Sequence, residues 1–166
     1  MRIIGLAGWS GAGKTTLVSK VIPRLVARGM AVSTLKHAHH AFDIDQPGKD
    51  SHTHRMSGAT EVLIGSANRW ALMHELRGAS EPALAELLTK LTPVDLVIVE
   101  GYKWERHPKL EVHRIANGKP LLQPEDPLIV AIASDQTMQA AVPVIPLDDV
   151  DAIIEIMLAQ AAPVDR

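Results

Sequence analysis

Cysteine is absent from the 166 residues. No disulfide framework and no thiolate metal site can exist, and a reducing compartment suits the chain. Aromatic side chains are scarce, with three Trp, one Tyr and one Phe. A stacking platform for single-stranded nucleic acid needs more of them. Charge of one sign is lacking too: 17 Lys and Arg stand against 19 Asp and Glu, a formal net of -2. No basic field is left to hold nucleic acid or an anionic lipid surface, so neither is an expected partner. Long hydrophobic runs are missing, none approaching the roughly twenty residues that cross a bilayer. Met1 leads into an apolar strand without the basic region and cleavable apolar core of a signal segment. These absences leave one cytoplasmic domain over residues 1–166 as the expectation, burying about 70% of the unfolded chain's surface.

What is present alternates between two periods. Arg2 to Gly8 reads as a buried strand, and a Gly-rich turn then opens a helix from Lys14 to Arg28, with Leu17, Val21 and Leu25 on its apolar face. Pro23 inside that helix should kink it and leave the Ser19 carbonyl without its donor. Gly29 is a natural stop, and Ala31 to Lys36 makes a second strand. Asp50 or Ser51 can cap a short helix ending near Gly58; Thr60 to Ser66 and Arg69 to His74 read as a hairpin through Ala67 and Asn68. Ser80 is placed to cap a helix with Pro82 in its first turn and Leu84, Leu87, Leu88 and Leu91 on one side. Asp95 to Glu100 is a nearly continuous apolar run of the kind found in central parallel strands. Leu110 to Ile115, Leu128 to Ala133 and Val142 to Ile145 supply further strands. Asp148 or Asp149 caps a last helix that turns Val150, Ile153, Ile154, Met157 and Leu158 inward. The alternation predicts an α/β fold of P-loop NTPase type, an open, mostly parallel sheet with helices on both faces.

Gly8-Trp9-Ser10-Gly11-Ala12-Gly13-Lys14-Thr15 matches the phosphate-binding pattern G-x-x-x-x-G-K-[ST] at every fixed position. The glycines let successive backbone N–H groups turn toward phosphate oxygens, and the helix N-terminus, with Thr16 in its first turn, adds positive potential. Lys14 reaches the β- and γ-phosphates, and the Thr15 hydroxyl can ligate Mg²⁺. A glycine turn used only for tightness is the alternative, and the strand before it and helix after it argue against that. The metal shell needs an acid at the end of a neighbouring strand. Glu100 suits this better than Asp95, because it ends its strand where the ligand crevice opens; merely capping a turn with Gly101 is the other role open to it.

The stretch from Lys36 and His37 through His39, His40, Asp43 and Asp45 to Lys49 and Asp50 is too long for a simple connector, and loops of that kind are usually functional. A polar flap over the nucleotide's phosphates is favoured over a transition-metal site, which has neither cysteine nor fixed ligand spacing behind it. Asp43, Asp45 and Asp50 can each join the Mg²⁺ shell or orient water, and the sequence does not choose; Asp50 is carried with Thr15 and Glu100 as the metal set. Ser134-Asp135 closes a late strand where a purine sits in this architecture. A carboxylate there can accept from both N1–H and the 2-amino group of guanine, although the full Asn-Lys-x-Asp signature is absent. Capping the next turn explains Asp135 nearly as well.

Taken together, Trp9 to Thr16, Lys36-His37 to Asp43, Pro47 to Ser51, Arg69 to Met73, Val99 to Lys103 and Ala131 to Asp135 resemble the MobB family, the molybdopterin-guanine dinucleotide biosynthesis adapter proteins. The resemblance covers most of the chain and is weakest between Ile115 and Leu128 and at the C-terminus. It implies a homodimer that binds GTP with Mg²⁺ and hydrolyses it weakly. Such a protein assists the enzyme that transfers GMP to molybdopterin, with the His37 to Asp50 loop near the γ-phosphate and the pterin or partner. Two other functions fit the motifs less fully. One is an ATP-dependent kinase or ligase of the dethiobiotin synthetase type, which also ends a strand in Glu-Gly beside a P-loop. The other is a nickel- or zinc-delivery GTPase.

Overall fold

The structure, a computed structural model, describes residues 1–38 and 42–164. In chain order its elements are β1 (Arg2–Ala7), α1 (Lys14–Ala27), β2 (Val32–Lys36), α2 (Asp50–Met56), β3 (Glu61–Gly65), β4 (Trp70–His74), α3 (Leu84–Thr89), β5 (Leu96–Glu100), β6 (Lys109–His113), β7 (Ile129–Ser134), β8 (Val144–Pro146), α4 (Val150–Gln160) and β9 (Ala162–Pro163), with a 3-10 turn at Ile115–Asn117. They form two compact units, Met1–His37 with Leu84–Arg166, and Ala38–Ala83.

The first unit is an open sheet in the order β2-β5-β1-β6-β7-β8. Every neighbouring pair along it is parallel, and β9 adds an antiparallel pair beside Arg2 and Ile3. Strand alternation decides what each face buries. Ile4 and Leu6 of β1, Leu96 and Ile98 of β5, and Leu110 and Val112 of β6 pack under α1 and α4. Ile3, Val97 and Val99 face the other way, against Leu84 and Leu88 of α3. Each such fully buried Leu, Ile or Val contributes about 1.5–3 kcal/mol by leaving water, and β5 supplies both cores because it is buried on both faces. With the strands parallel, the C-terminal ends of β1, β5 and β7 share one edge, which is where open α/β sheets bind ligands.

The helix ends follow side-chain chemistry. At the end of α1, Gly29 N–H donates to Val26 and Met30 N–H to Leu25, the paired bonds of a glycine-terminated helix. Pro23 lies within α1, which continues to Ala27. Asp149 caps α4, its Oδ1 accepting from Ala152 N–H at 3.0 Å. Ser80 does not cap a helix: α3 begins at Leu84 and is six residues long. Residues 80–83 are instead where the chain leaves the second unit for the first. β6 stops at His113, short of the expected Ile115, because Ile115 N–H turns to donate to Asp135 Oδ1 at 3.1 Å.

The second unit holds α2 and the hairpin of β3 and β4, paired antiparallel from Glu61↔His74 to Gly65↔Trp70. Its centre is ionic: Arg55 of α2 donates to Asp43, Asp45 and Glu75 at 2.8 to 3.3 Å, and Asp45 is buried. Neither Asp50 nor Ser51 caps α2: the helix already starts at Asp50, and Lys49 holds the N-cap position without a side-chain bond. No described helix is long and apolar enough to cross a membrane.

Candidate functional site

The loop after β1 is shaped by how closely other backbone approaches it. Gly8 has φ +137°, and a Cβ there would collide with the Val112 carbonyl of β6. Only glycine lets the chain leave β1 at this height. Lys14 opens α1 and folds back over the loop, its Nζ donating to the carbonyls of Gly8 at 2.8 Å and Trp9 at 3.0 Å. Burial lowers the Lys14 pKa from its ordinary 10.5; Glu100 opposes that shift, while Lys103 and Lys36 add to it. An amine partly stripped of water among other cations gains more than a solvated one from an anion placed against it.

Glu100 ends β5 with its side chain 16% exposed. Its Oε1 accepts from the Thr15 hydroxyl at 3.0 Å and lies 3.4 Å from Lys36 Nζ. β2 and β5 are in register so that Lys36 pairs with Glu100, and the Glu100 carbonyl then accepts from His37 N–H at 2.9 Å. Gly101 makes the next step with φ +90°; a Cβ there would sit 2.8 Å from His37 Cβ. The His37 ring meets Tyr102 at 4.8 Å between centroids. A Thr hydroxyl in contact with a carboxylate is a hard oxygen pair suited to Mg²⁺ and its waters. Asp95, the other acid of this strand, accepts from Ala31 N–H at 2.8 Å at the opposite end, a purely structural bond.

On the other side of the loop, Arg114 and the 3-10 turn close in: Arg114 Nε would lie 3.2 Å from a Cβ on Gly13, and Asn117 donates to the Ser10 carbonyl at 3.2 Å. Asp135, at the end of β7, braces this turn through Ile115 N–H, with Arg114 3.7 Å from its second oxygen. Ser134 is buried, and its hydroxyl accepts from Gln136 N–H at 3.2 Å. A cleft of about 820 Å³ runs from Gly13 and Thr16 past Arg114 and Asp135 to Asp148. It joins the Gly8–Thr15 loop to the end of β7 and is large enough for a nucleoside.

The first unit therefore brings together Gly8 to Thr16, Lys36, His37, Glu100, Ser134 and Asp135. The remaining described candidates belong to the second unit. Asp43 and Asp45 are held by Arg55, and Lys49 and Asp50 start α2, all in the second unit. His39 and His40 lie outside the described residues. Among the described residues, no group of three His, Asp or Glu side chains is arranged to hold a metal ion. Sequence reasoning missed Arg114 and Asn117, which follow β6 with no motif of their own, and Lys103, whose place depends on the turn after Glu100.

A family profile described as molybdopterin guanine dinucleotide synthesis protein B, MobB, matches residues 3–135. The chain belongs to the MobB family. It is 37% identical over 159 residues to the molybdopterin-guanine dinucleotide biosynthesis adapter protein of Escherichia coli strain K12, covering 94% of this chain and 91% of that one. It is 41% identical over 139 residues to the protein of the same name from Haemophilus influenzae, covering 82% and 76%. Among solved structures, it is similar to a MobB protein homolog from Bacillus stearothermophilus, with a TM-score of 0.69, 26% identity and 95% of each chain covered. The matched span contains the loop, Glu100 and Asp135, and the far lining of the cleft, from Gln136 to Asp148, lies beyond it.

Proposed function

We propose that this MobB-family chain is a GTP-binding adapter that assists the transfer of GMP to molybdopterin in the cytoplasm. The observation that carries the nucleotide is the Thr15–Glu100 contact beside a complete phosphate loop, with Lys14 and Lys36 on the same carboxylate's side. Thr15 and Glu100 would hold Mg²⁺, and the ion, when bound, would offset the charge of the triphosphate. Lys14 would bind the β- and γ-phosphates, and the N–H groups of residues 11–16 would orient them. The cleft toward Ser134 and Asp135 is where the base belongs, and the Asp135 carboxylate is what favours guanine. The adapter role comes from the relatives' shared name. Slow hydrolysis of the bound GTP belongs to this reading, as the family resemblance implies.

Homodimerisation is part of the proposal. Leu63 and Leu72 are register partners and Trp70 shares their face of the hairpin, all exposed, Trp70 at 70%. A face of that composition on a two-stranded ribbon is suited to burial against a second copy. The loop from Lys36 to Lys49 is assigned to the pterin or the GMP-transferring enzyme.

The reading is tested by adding the protein to that enzyme with molybdopterin and Mg·GTP and measuring the guanine dinucleotide formed. Stimulation by the parent, with none by Lys14→Ala, is the expected result. Equal yields with and without the parent would remove the adapter role.

A further inference from the structure

Lys103 lies three residues beyond Glu100 on the turn that leaves β5. Gly101 and Tyr102 both take positive φ, +90° and +47°, and beyond this reversal the Lys103 ammonium stands 4.5 Å from the centroid of the Trp9 ring. Trp9 is the first variable residue of the phosphate loop, and its carbonyl is one of the two that hold Lys14 Nζ. The indole is fixed from its other end, Nε1–H donating to the Pro120 carbonyl at 2.8 Å. A second ammonium, Lys119, is 5.9 Å from the same ring. Lys14, Lys36, Lys103 and Lys119 thus surround this part of the loop, and the carboxylate named among them is Glu100. Lys103 is close enough to Lys14 to help push its pKa down.

Two features make this more than a basic rim. First, a cation over an aromatic face is held weakly compared with one donating to a phosphate oxygen, so Lys103 is parked rather than committed. Second, its position along the site is defined. The cleft suited to a base opens from Gly13 toward Asp135, whereas Lys103 follows Glu100, whose carboxylate meets Thr15 and Lys36. That is the terminal-phosphate end of a bound nucleotide.

We propose that Lys103 discriminates a nucleoside triphosphate from the diphosphate by leaving the Trp9 face for an oxygen of the γ-phosphate. The diphosphate offers no such oxygen, and Lys103 then stays on Trp9. The proposal rests on the phosphate loop being a nucleotide site and does not depend on which base is bound.

The test compares the full-length parent, Lys103→Gln and Lys103→Arg by calorimetry with Mg·GTP, Mg·GDP, Mg·ATP and Mg·ADP. Lys103→Gln is expected to lose about tenfold to a hundredfold in triphosphate affinity, the scale of one charge-assisted contact. Its diphosphate affinity should stay within about twofold, and Lys103→Arg should keep most of the parent's preference. A second readout uses Trp70→Phe/Trp104→Phe protein, in which Trp9 is the remaining indole. Its emission should differ between GTP and GDP complexes, and the difference should vanish in Lys103→Gln. Equal losses for triphosphate and diphosphate would reduce Lys103 to a general basic field and overturn the proposal, as would no loss at all. A parent that prefers ATP would sink the guanine reading while Lys103 is judged on ATP against ADP. A parent that binds no nucleotide overturns both.

Discussion

The Thr15 hydroxyl donates to Glu100 Oε1 across 3.0 Å, joining the first turn of α1 to the end of β5, 85 residues apart in sequence. The phosphate loop and its candidate metal acid are thereby a single unit, fixed by the parallel pairing of β1 with β5. Exchanging Glu100 for Gln keeps a hydrogen-bond acceptor for Thr15 but removes the charge offered to a metal. Glu100→Gln is expected to slow Mg²⁺-dependent GTP hydrolysis about tenfold or more, with a smaller change in GTP affinity. Phosphate release at saturating GTP, set beside calorimetry, checks the split. Unchanged turnover would move the metal to another acid.

Lys14 is the other half of that unit. Its amine, held by the Gly8 and Trp9 carbonyls and lowered in pKa by burial, has both the position and the incentive to bind phosphate. Lys14→Ala should weaken Mg·GTP binding by about a hundredfold, losing a buried charge-assisted contact. Circular dichroism and the unfolding midpoint should remain close to the parent's. Retained affinity in a folded variant would mean the triphosphate binds elsewhere.

Asp135 already accepts from Ile115 N–H and lies 3.7 Å from Arg114, so its structural duty and its proposed reading of guanine compete in one carboxylate. Asp135→Asn keeps an oxygen for Ile115 while supplying an N–H where xanthine carries a carbonyl. GTP affinity should fall by about tenfold to a hundredfold, with XTP gaining relative to GTP. Competition among GTP, XTP and ATP measures this. An unaffected variant would leave Asp135 as the brace of the 3-10 turn alone.

A fourth expectation concerns acid. His107 is buried with neither ring nitrogen hydrogen-bonded among the described residues, and burial, then Lys109, lower its pKa to about 4 against Asp126. The unfolded side chain takes its proton near 6.5, so acid favours the unfolded chain between those values. Stability present above pH 6.5 is lost as pH falls toward 4, by about 3 kcal/mol from this residue. Glu111 acts in the opposite sense: burial raises its pKa above 4.5, despite bonds from Leu122 and Gln123 N–H. Its contribution therefore declines as pH rises from 4.5. His107→Phe should flatten the acid limb, read as urea midpoints between pH 4 and 7. The parent's slope surviving in the variant would assign acid sensitivity to other groups.

Much of this was legible in the sequence because each signal was local. The loop's glycines, the apolar run of β5 and the four-residue spacing of α1 each fix an element without help from distant residues. Asp149 over Asp148 needed geometry, since either side chain can cap. The fate of Ser80 was hidden because a cap is decided by where the next backbone turns, and there the chain was changing units. β6 misleads in another way. Lys109, Glu111 and His113 alternate with Leu110 and Val112 like a half-solvated strand, yet the polar set is buried. Lys109 pairs with Asp126 at 3.0 Å and Glu111 takes two backbone N–H groups, partners that only the fold supplies. The loop of Asp43 and Asp45 reads from composition as a polar flap whose aspartates can join the Mg²⁺ shell or orient water, while Arg55 of α2 takes both carboxylates.

The account stands most directly on base and phosphate preference together. Equilibrium competition between Mg·GTP and Mg·ATP for the full-length protein, with and without molybdopterin, is the decisive measurement. Tighter binding of GTP, abolished by Lys14→Ala, is the expected result. Preference for ATP, or equal affinity for both, would contradict the guanine-specific adapter and return the phosphate loop to the kinase and ligase class.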